Sequence, residues 1–167
     1  MNSSLSIRPA GVEDIRTIGF LAQTIWPATY KEILTAGQLE YMMKQIYSTA
    51  SLNRQMLEQK HNFLILEDDE APVGFASYSP LADQKLYKLH KIYALPNLQG
   101  RGLGKLMIDY IVERIKSKGA IALQLNVNRY NLARRFYEKL GFRVIREEDI
   151  DIGQGYFMND FVMELQV

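Results

Sequence analysis

The first part of the chain changes from an alternating pattern to helical spacing. Residues 5–8 alternate between apolar and polar side chains, which predicts a first strand that stops at Pro9. Apolar residues then recur every three or four positions over residues 12–25, as they do on the buried face of an amphipathic helix. We expect this helix to end at Trp26-Pro27, because the residue before a proline avoids the helical region.

Two more helices are predicted before the pattern changes to strands. Apolar residues at helical spacing indicate one helix over residues 36–46. Ser51 can serve as the N-cap of another helix over residues 52–59, because its hydroxyl can accept a hydrogen bond from an amide of the first turn. Residues 62–66 and 73–78 are apolar runs separated by an acidic turn, which is typical of an antiparallel hairpin.

The second half of the chain alternates strands with helices. After a strand at residues 86–94, the predicted order is helix, strand, helix and two final strands, over residues 103–118, 121–127, 131–140, 142–145 and 161–165. A strand–helix–strand order requires a crossover connection, so we predict a mixed α/β fold. No repeat or linker divides the sequence, and residues 1–167 are expected to form a single domain.

Composition and charge exclude several classes of protein. The 20 basic and 19 acidic residues nearly cancel, so the basic excess of a typical nucleic-acid-binding protein is absent. The sequence has no cysteine and only two histidines, His61 and His90, so we expect neither disulfides nor a metal site. It also lacks a signal-peptide pattern and an apolar run of membrane-spanning length. These features predict a cytoplasmic protein.

The most distinctive stretch is the glycine-rich sequence Gln-Gly-Arg-Gly-Leu-Gly-Lys at residues 99–105. Glycines leave backbone amides uncovered, and a helix that begins there adds amides without intrahelical acceptors, so both attract phosphate groups. The spacing differs from the dinucleotide motif G-x-G-x-x-G and from the phosphate loop G-x-x-x-x-G-K-[ST], which disfavours a nucleotide-binding protein. A turn that only reverses the chain is the other interpretation.

The second distinctive stretch is Asn-Leu-Ala-Arg-Arg-Phe-Tyr-Glu-Lys-Leu-Gly-Phe at residues 131–142. An amphipathic helix with a glycine cap would by itself explain these residue types. Together, however, Q-x-x-G-x-G after one strand and A-x-x-F-Y-E-K-L-G-F after the next resemble motifs A and B of the GNAT superfamily of N-acetyltransferases. The resemblance covers residues 86–142 well. Residues 26–30 and 155–158 add a weaker similarity to bacterial spermidine/spermine acetyltransferases.

The resemblance implies a fold and a set of cofactor contacts. The fold would be a GNAT-like mixed, mostly antiparallel central sheet flanked by helices, in which a splayed pair of strands holds acetyl-CoA. Acetyl-CoA would act as a cosubstrate, without a metal. The implied cofactor-binding residues are Ile92, Tyr93, Ala94, Gln99, Gly100, Arg101, Gly102, Leu103, Gly104, Lys105, Asn128, Asn131 and Tyr137.

Tyr137 and His90 are the candidate catalytic residues. Tyr137 takes the position of the family's tyrosine, whose phenol can donate a proton to the leaving thiolate; a core tyrosine is the alternative. His90 shares a strand face with Lys88 and Ile92 by alternation. An unperturbed imidazole has a pKa of about 6.5, which suits a group that accepts a proton near neutral pH. A partly exposed strand residue, or a base that acts through water, is the alternative for His90.

The implied function is acetyl-CoA-dependent N-acetyl transfer directly to a primary amine, with a polyamine as the first expectation. Trp26 and Tyr30 are expected to line the acceptor site, because aromatic rings attract cations; packing against the core is the alternative. The competing functions are a noncatalytic acetyl-CoA-binding regulatory module and an acetyltransferase of protein N-termini. The expected partner is a small-molecule amine, without nucleic acid or membrane, and a homodimer is left open.

Overall fold

The computed structural model describes residues 4–98 and 100–167, and the chain forms two compact units. Unit 1 comprises Met1–Ser79 and Lys91–Ile111, and unit 2 comprises Pro80–His90 and Val112–Val167. The strands are β1 Leu5–Ala10, β2 Asn62–Asp68, β3 Ala71–Pro80, β4 Leu86–Ala94, β5 Ala122–Asn128, β6 Arg143–Gly153 and β7 Tyr156–Gln166. The helices are α1 Ile15–Tyr30, α2 Ala36–Tyr47, α3 Thr49–Leu57, α4 Leu103–Ser117 and α5 Ala133–Lys139.

Unit 1 contains an antiparallel arrangement of β1, β2 and β3. The β2–β3 hairpin turns at Asp69 and Glu70, whose φ angles of 50° and 68° are those of the tight turns that fit the twist of a hairpin. β1 includes Pro9, opposite Leu64 of β2. A proline is tolerated there because β1 is the first strand in the sheet order, where one edge needs no ladder hydrogen bond.

Unit 2 contains the first residues of β4, then β5, β7 and β6. β4 pairs in parallel with β5, from Leu86 opposite Ala122 to Leu89 opposite Leu125. β5 pairs antiparallel with β7, and β7 pairs antiparallel with β6 in a hairpin of two 11-residue strands. Both hairpin strands extend well beyond the short final strands that the sequence predicts. Charged residues dominate the first half of β6, so this strand lacks the apolar alternation on which the sequence-based prediction depends.

The strand order in the sheet is β1-β2-β3-β4-β5-β7-β6. The β4–β5 pair is parallel, whereas β1–β2, β2–β3, β5–β7 and β6–β7 are antiparallel. Helix α4 lies between β4 and β5 in the chain, as a crossover between parallel strands requires. The predicted mixed, mostly antiparallel sheet flanked by helices is therefore confirmed. In the described part of the chain, no helix combines the length and apolar character needed to span a bilayer.

The predicted end of the first helix was wrong. α1 continues through Pro27 to Tyr30. A proline inside a helix removes one backbone hydrogen bond and crowds the preceding turn. Here the helix nevertheless continues, with the Lys31 amide donating to the Pro27 carbonyl at 3.1 Å. Trp26 and Tyr30 are buried, and the Trp26 ring lies 5.4 Å from that of Tyr47, so tertiary packing of the last turn outweighs the local cost of the proline.

Two other helix starts also differ from the prediction. α3 begins at Thr49, and its N-cap is Ser48, whose hydroxyl accepts from the Ser51 amide at 3.2 Å. Two serines three positions apart offer alternative caps, and the sequence alone did not distinguish them. α5 begins at Ala133, two residues after the predicted start, and the Asn131 side chain accepts a hydrogen bond from the Ala133 amide.

Gly74 of β3 permits a close approach to the end of β4. A Cβ atom at this position would lie 2.8 Å from the Tyr93 carbonyl oxygen and 3.4 Å from the Ala94 Cα. Real Cβ atoms essentially never approach another atom to 2.8 Å, so glycine is required at this position unless the backbone moves. The neighbouring Val73 carbonyl accepts from the Leu95 amide at 2.9 Å, which fixes the chain just after β4.

Candidate functional site

The glycine-rich loop of unit 1 leads directly into α4. Gly100 and Gly102 have φ angles of 87° and 73°, and nothing lies within 4 Å of the position that a Cβ would take at either residue. The Gly102 carbonyl accepts from the Leu106 amide at 3.0 Å, so the helix begins directly after this glycine. The amides of residues 103–105 therefore have no intrahelical acceptor, which is the arrangement that binds phosphate groups. Gln99 lies outside the described residues.

Both cationic side chains of this loop already have carboxylate partners. The Arg101 guanidinium lies 3.1 Å from an Asp68 carboxylate oxygen, and the Lys105 ammonium lies 2.7 Å from Asp109. A hydrogen bond from the Ser4 hydroxyl and, to a smaller extent, one from Arg101 hold the pKa of Asp68 below its usual range. An anion bound at this loop would therefore interact first with backbone amides and would compete with carboxylates for the two cations.

The last residues of β4, which precede the glycine-rich loop in the chain, have two different faces. Ile92, Tyr93 and Ala94 are all half-buried, and alternation places Ile92 and Ala94 on the face opposite Lys91 and Tyr93. The pairing of β4 with β5 stops at Leu89, so the ladder does not reach these residues. The backbone groups that this segment directs toward the β5 side therefore lie beyond that ladder, and the resemblance assigns pantetheine binding to them.

Tyr93 belongs to an aromatic cluster in unit 1. The other members are Trp26, Tyr30, Tyr47 and Phe75. The centroid of the Trp26 indole lies 5.7 Å from that of the Tyr93 ring, and the Tyr30 and Tyr93 hydroxyls are 2.9 Å apart. Trp26 and Tyr30, the predicted acceptor-site residues, are only 3% and 7% exposed. Their burial favours the core-packing interpretation that the sequence left open.

Lys91 is a buried ammonium that sequence reasoning missed. Its Nζ donates to the Gln55 carboxamide oxygen at 2.6 Å and lies 5.5 Å and 6.0 Å from the centroids of the Phe63 and Tyr47 rings. Burial lowers the pKa of Lys91 to about 8. In the sequence, Lys91 resembles any strand lysine; the only available signal was its alternation with the buried residues of β4.

In unit 2 one face of the sheet carries several polar side chains. Strand register places Lys88 beside Gln124 and Asn128 beside Asp160, and His90 follows on the same face of β4. Lys88 and His90 are half-buried, whereas Gln124, Asn128 and Asp160 are buried. Buried polar side chains are costly unless they are hydrogen-bonded to the protein or to a polar ligand.

The second motif lies in unit 2, around α5. Tyr137 is 9% exposed, and its ring forms edge-to-face contacts with Phe136 and Phe142 at centroid distances of 5.3 Å and 5.7 Å. The side-chain oxygens of Asn128 and Asn131 accept from the amides two residues later, each at 2.9 Å. These turns orient both asparagines and occupy their oxygens, so a ligand contact would use the carboxamide N–H groups.

The two units therefore offer different chemistry. Unit 1 has backbone amides suited to a phosphate group and an open strand edge, and unit 2 has an imidazole, a phenol and a polar sheet face. Within residues 4–98 and 100–167 there is no group of three or more acidic or histidine side chains that could hold a metal ion.

Comparison with known proteins identifies related sequences. Residues 28–158 match the family described as the acetyltransferase (GNAT) domain. A spermidine N(1)-acetyltransferase of Thermoplasma acidophilum is 28% identical over 166 residues, which is 96% of each chain. A ribosomal protein bS18-alanine N-acetyltransferase of Haemophilus influenzae is 32% identical over 111 residues, which is 66% of this chain and 70% of that protein.

Solved structures share the fold over almost the whole chain. The PaiA N-acetyltransferase of Thermoplasma acidophilum, solved in complex with coenzyme A, has a TM-score of 0.83 and 27% identity, covering 98% of this chain and 99% of that one. A GCN5-related N-acetyltransferase of Rhodopseudomonas palustris has a TM-score of 0.84, covering 100% and 98%. Its 20% identity limits the second likeness to the fold.

The buried Lys91 predicts a measurable dependence of stability on pH. Because its pKa is about 8 in the folded chain and 10.5 when unfolded, the unfolded chain binds more protons between these values. The free energy of unfolding should therefore rise with pH over this window. Relative to Lys91→Met, the wild type should gain about 2 kcal/mol between pH 7 and pH 9.5. Urea unfolding at both pH values checks this. The exposed Lys118→Met is the control; equal pH slopes for all three proteins would contradict the prediction.

Proposed function

Since this chain belongs to the acetyltransferase (GNAT) domain family, we propose that it is an N-acetyltransferase that moves the acetyl group of acetyl-CoA directly to a primary amine of a small acceptor, with a polyamine as the first candidate. The observation that carries this proposal is the similarity to a spermidine N(1)-acetyltransferase over 96% of both chains. Acetyl-CoA dependence itself follows from the family and from the coenzyme A-bound structural relative.

The glycine loop fits the pyrophosphate of acetyl-CoA. Support comes from the positive φ angles of Gly100 and Gly102, the open space at both Cβ positions and the first-turn amides of α4. We assign the pyrophosphate to residues 100–105, with Gln99 adjoining them. Backbone groups of residues 92–94 are proposed to pair with pantetheine. The carboxamide N–H groups of Asn128 and Asn131 are proposed to complete the cofactor contacts.

Direct transfer needs two proton movements. The bound acetyl-CoA supplies an acetyl thioester. The amine is protonated in water near neutral pH, so it must lose a proton before it attacks, and the leaving thiolate must be stabilised. Tyr137 is proposed as the donor to the thiolate, because its phenol is held by two ring contacts at the tyrosine position of the motif.

His90 is the proposed base. It is half-buried on the polar face of β4, so its imidazole has access to both protein groups and solvent. A base that acts through water is the competing assignment. The pH dependence of kcat/KM in His90→Gln separates the two, since loss of the acidic limb supports His90 and an unaltered profile supports the water relay.

Trp26 and Tyr30 are weaker candidates for acceptor contact. Both side chains are almost completely buried. They contact each other and Tyr93, and the Trp26 ring also packs against that of Tyr47. A direct role requires that Trp26→Phe raises the KM of the amine without changing that of acetyl-CoA.

A second candidate acceptor, the N-terminus of a protein, is favoured by the 32% identity to a bS18-alanine N-acetyltransferase.

Release of coenzyme A over a panel of amines tests the proposed function. The panel contains spermidine, spermine, free amino acids, an aminoglycoside and a peptide with an N-terminal alanine. We expect turnover of the polyamines with the highest kcat/KM. Turnover of the peptide alone would overturn the small-acceptor proposal, and no turnover of any amine would overturn catalysis by direct amine acetylation.

Gly102→Ala tests the cofactor loop. A Cβ at Gly102 meets no neighbouring atom, so the substitution should lower the stability of the fold only through the strain of an alanine at positive φ, roughly 1 kcal/mol. Affinity for acetyl-CoA should nevertheless fall at least tenfold, because the Cβ covers a backbone meant to approach a phosphate closely. Gly119→Ala is a matched control, since Gly119 likewise has a positive φ, of 87°, and open space at its Cβ position. Equal affinities for the two variants, measured by calorimetry, would refute the loop assignment.

Tyr137→Phe tests the proton donor. The change removes only the hydroxyl and preserves both ring contacts. If the phenol acts in the transition state, kcat should fall on the order of 10²-fold, with little change in acetyl-CoA affinity. Tyr130→Phe, at a position 71% exposed, is the control. Single-turnover measurement isolates the chemical step, and an unchanged rate in Tyr137→Phe would reduce this residue to a packing role.

A further inference from the structure

Two carboxylates face each other across the β6–β7 hairpin of unit 2. Glu148 on β6 lies directly opposite Asp160 on β7, and paired residues project from the same face of a sheet. Like charges in directly opposed positions destabilise a strand pair. Asn126 on β5 lies on this same face, two residues from Asn128, the β5 partner of Asp160. We call Asn126, Glu148 and Asp160 the hairpin cluster.

A single donor group serves both carboxylates of the hairpin cluster. The Asn126 carboxamide nitrogen lies 3.2 Å from Asp160 Oδ2, at the upper end of the usual range for a hydrogen bond, and 3.5 Å from Glu148 Oε2, which is beyond that range. Asp160 is only 5% exposed, yet its Oδ1 accepts no hydrogen bond from the described residues. A buried carboxylate oxygen without a donor is costly, so the hairpin cluster is short of hydrogen-bond donors and of positive charge.

The surrounding cations leave this shortage in place. Arg146 donates to Glu148 Oε1 at 2.9 Å, which is the other oxygen of that carboxylate. Arg129 forms its ion pairs with Asp149 and Glu147, although its charge also acts on Asp160. Lys88 on β4 favours the ionised form of both cluster carboxylates at longer range. Burial nevertheless raises the pKa of Asp160 above its usual range.

We propose that the hairpin cluster is an ammonium-binding subsite, which holds a second, non-reacting ammonium of a diamine or polyamine acceptor. The ammonium approaches over Glu148, whose side chain is 34% exposed, and replaces Asn126 as the donor to Glu148 Oε2 and the Asp160 carboxylate. A protonated amine supplies three N–H donors and the missing charge, which a carboxamide cannot.

The hairpin cluster suits an ammonium that stays protonated throughout the reaction. Carboxylates beside an amine favour its charged form, and they would oppose the deprotonation that the reacting amine requires. Recognition of a second charge therefore selects diamines over monoamines. This proposal rests on the proposed function, and it assigns the polar face of the hairpin to acceptor selection.

Two substrates that differ by one ammonium test the subsite. The ratio of kcat/KM for 1,4-diaminobutane to that for n-butylamine should fall at least tenfold in Asp160→Asn and in Glu148→Gln. Glu147→Gln is the matched control, since Glu147 adjoins Glu148, carries the same charge and is 62% exposed beside Arg129. Its ratio should stay within twofold of wild type. If both substrates slow by the same factor in the two cluster variants, the cluster does not recognise the second charge and the proposal fails.

Direct binding separates this proposal from the proposed function. Should the wild type acetylate neither amine, calorimetric titration of 1,4-diaminobutane into the wild type and the two cluster variants still tests the subsite. Binding that is at least tenfold weaker in both variants supports the hairpin cluster even though the function has failed, and equal binding overturns it. If Asp160→Asn does not fold, as circular dichroism would show, Glu148→Gln alone gives the comparison, since the Glu148 side chain is 34% exposed.

Discussion

Burial of the Lys91 ammonium constrains how unit 1 can pack. A charge taken out of water must find an acceptor, and Lys91 finds it in the carboxamide oxygen of Gln55 on α3. The nitrogen of the same carboxamide donates to the Ile46 carbonyl and the Ser51 hydroxyl. One side chain thereby joins β4 to the junction of α2 and α3. Two residues later on the same face, Tyr93 contacts Tyr30 of α1.

These packing contacts all lie on one face of β4. The proposed cofactor contacts instead use the backbone of residues 92–94 and the glycine-rich loop that follows the strand. The helices of unit 1 hold the strand through Lys91 and Tyr93, while Gly74 sets how closely β3 approaches it. The position of the β4 backbone is therefore fixed from two directions, largely by residues such as Gln55 and Gly74 that lie outside the two acetyltransferase motifs. A motif describes the groups that contact a ligand, whereas the accuracy of their placement comes from packing behind them.

Much of the fold follows from patterns that are local in the sequence. The bounds of β4 and the start of α4 were predicted correctly, because strand alternation, a glycine turn and an amphipathic face occur in succession. The continuation of α1 through Pro27 was missed, since its cause is packing against distant rings. The same reason applies to the Lys91–Gln55 bond, whose partners are 36 residues apart.

The candidate site likewise has parts that local sequence motifs predict and parts that depend on contacts between distant residues. The glycine loop and the region of Tyr137 carry motifs, and the family match supports the chemistry that they imply. The hairpin cluster joins residues of three strands, and nothing in the individual sequences around Asn126 or Asp160 marks them out. Acceptor choice is correspondingly hard to read, and the relatives named for spermidine and for a ribosomal protein alanine illustrate how widely it varies.

The charges along β6 have a consequence for solubility. β6 is the last strand in the sheet order, so one of its edges has no neighbouring strand among the described residues. Exposed strand edges are templates for aggregation. Five of the seven residues at 143–149 are charged, and Glu147 and Asp149 are engaged with Arg129. A second chain that added along this edge would have to desolvate these ion pairs, so the same run that conceals the strand in the sequence also protects it from unwanted pairing.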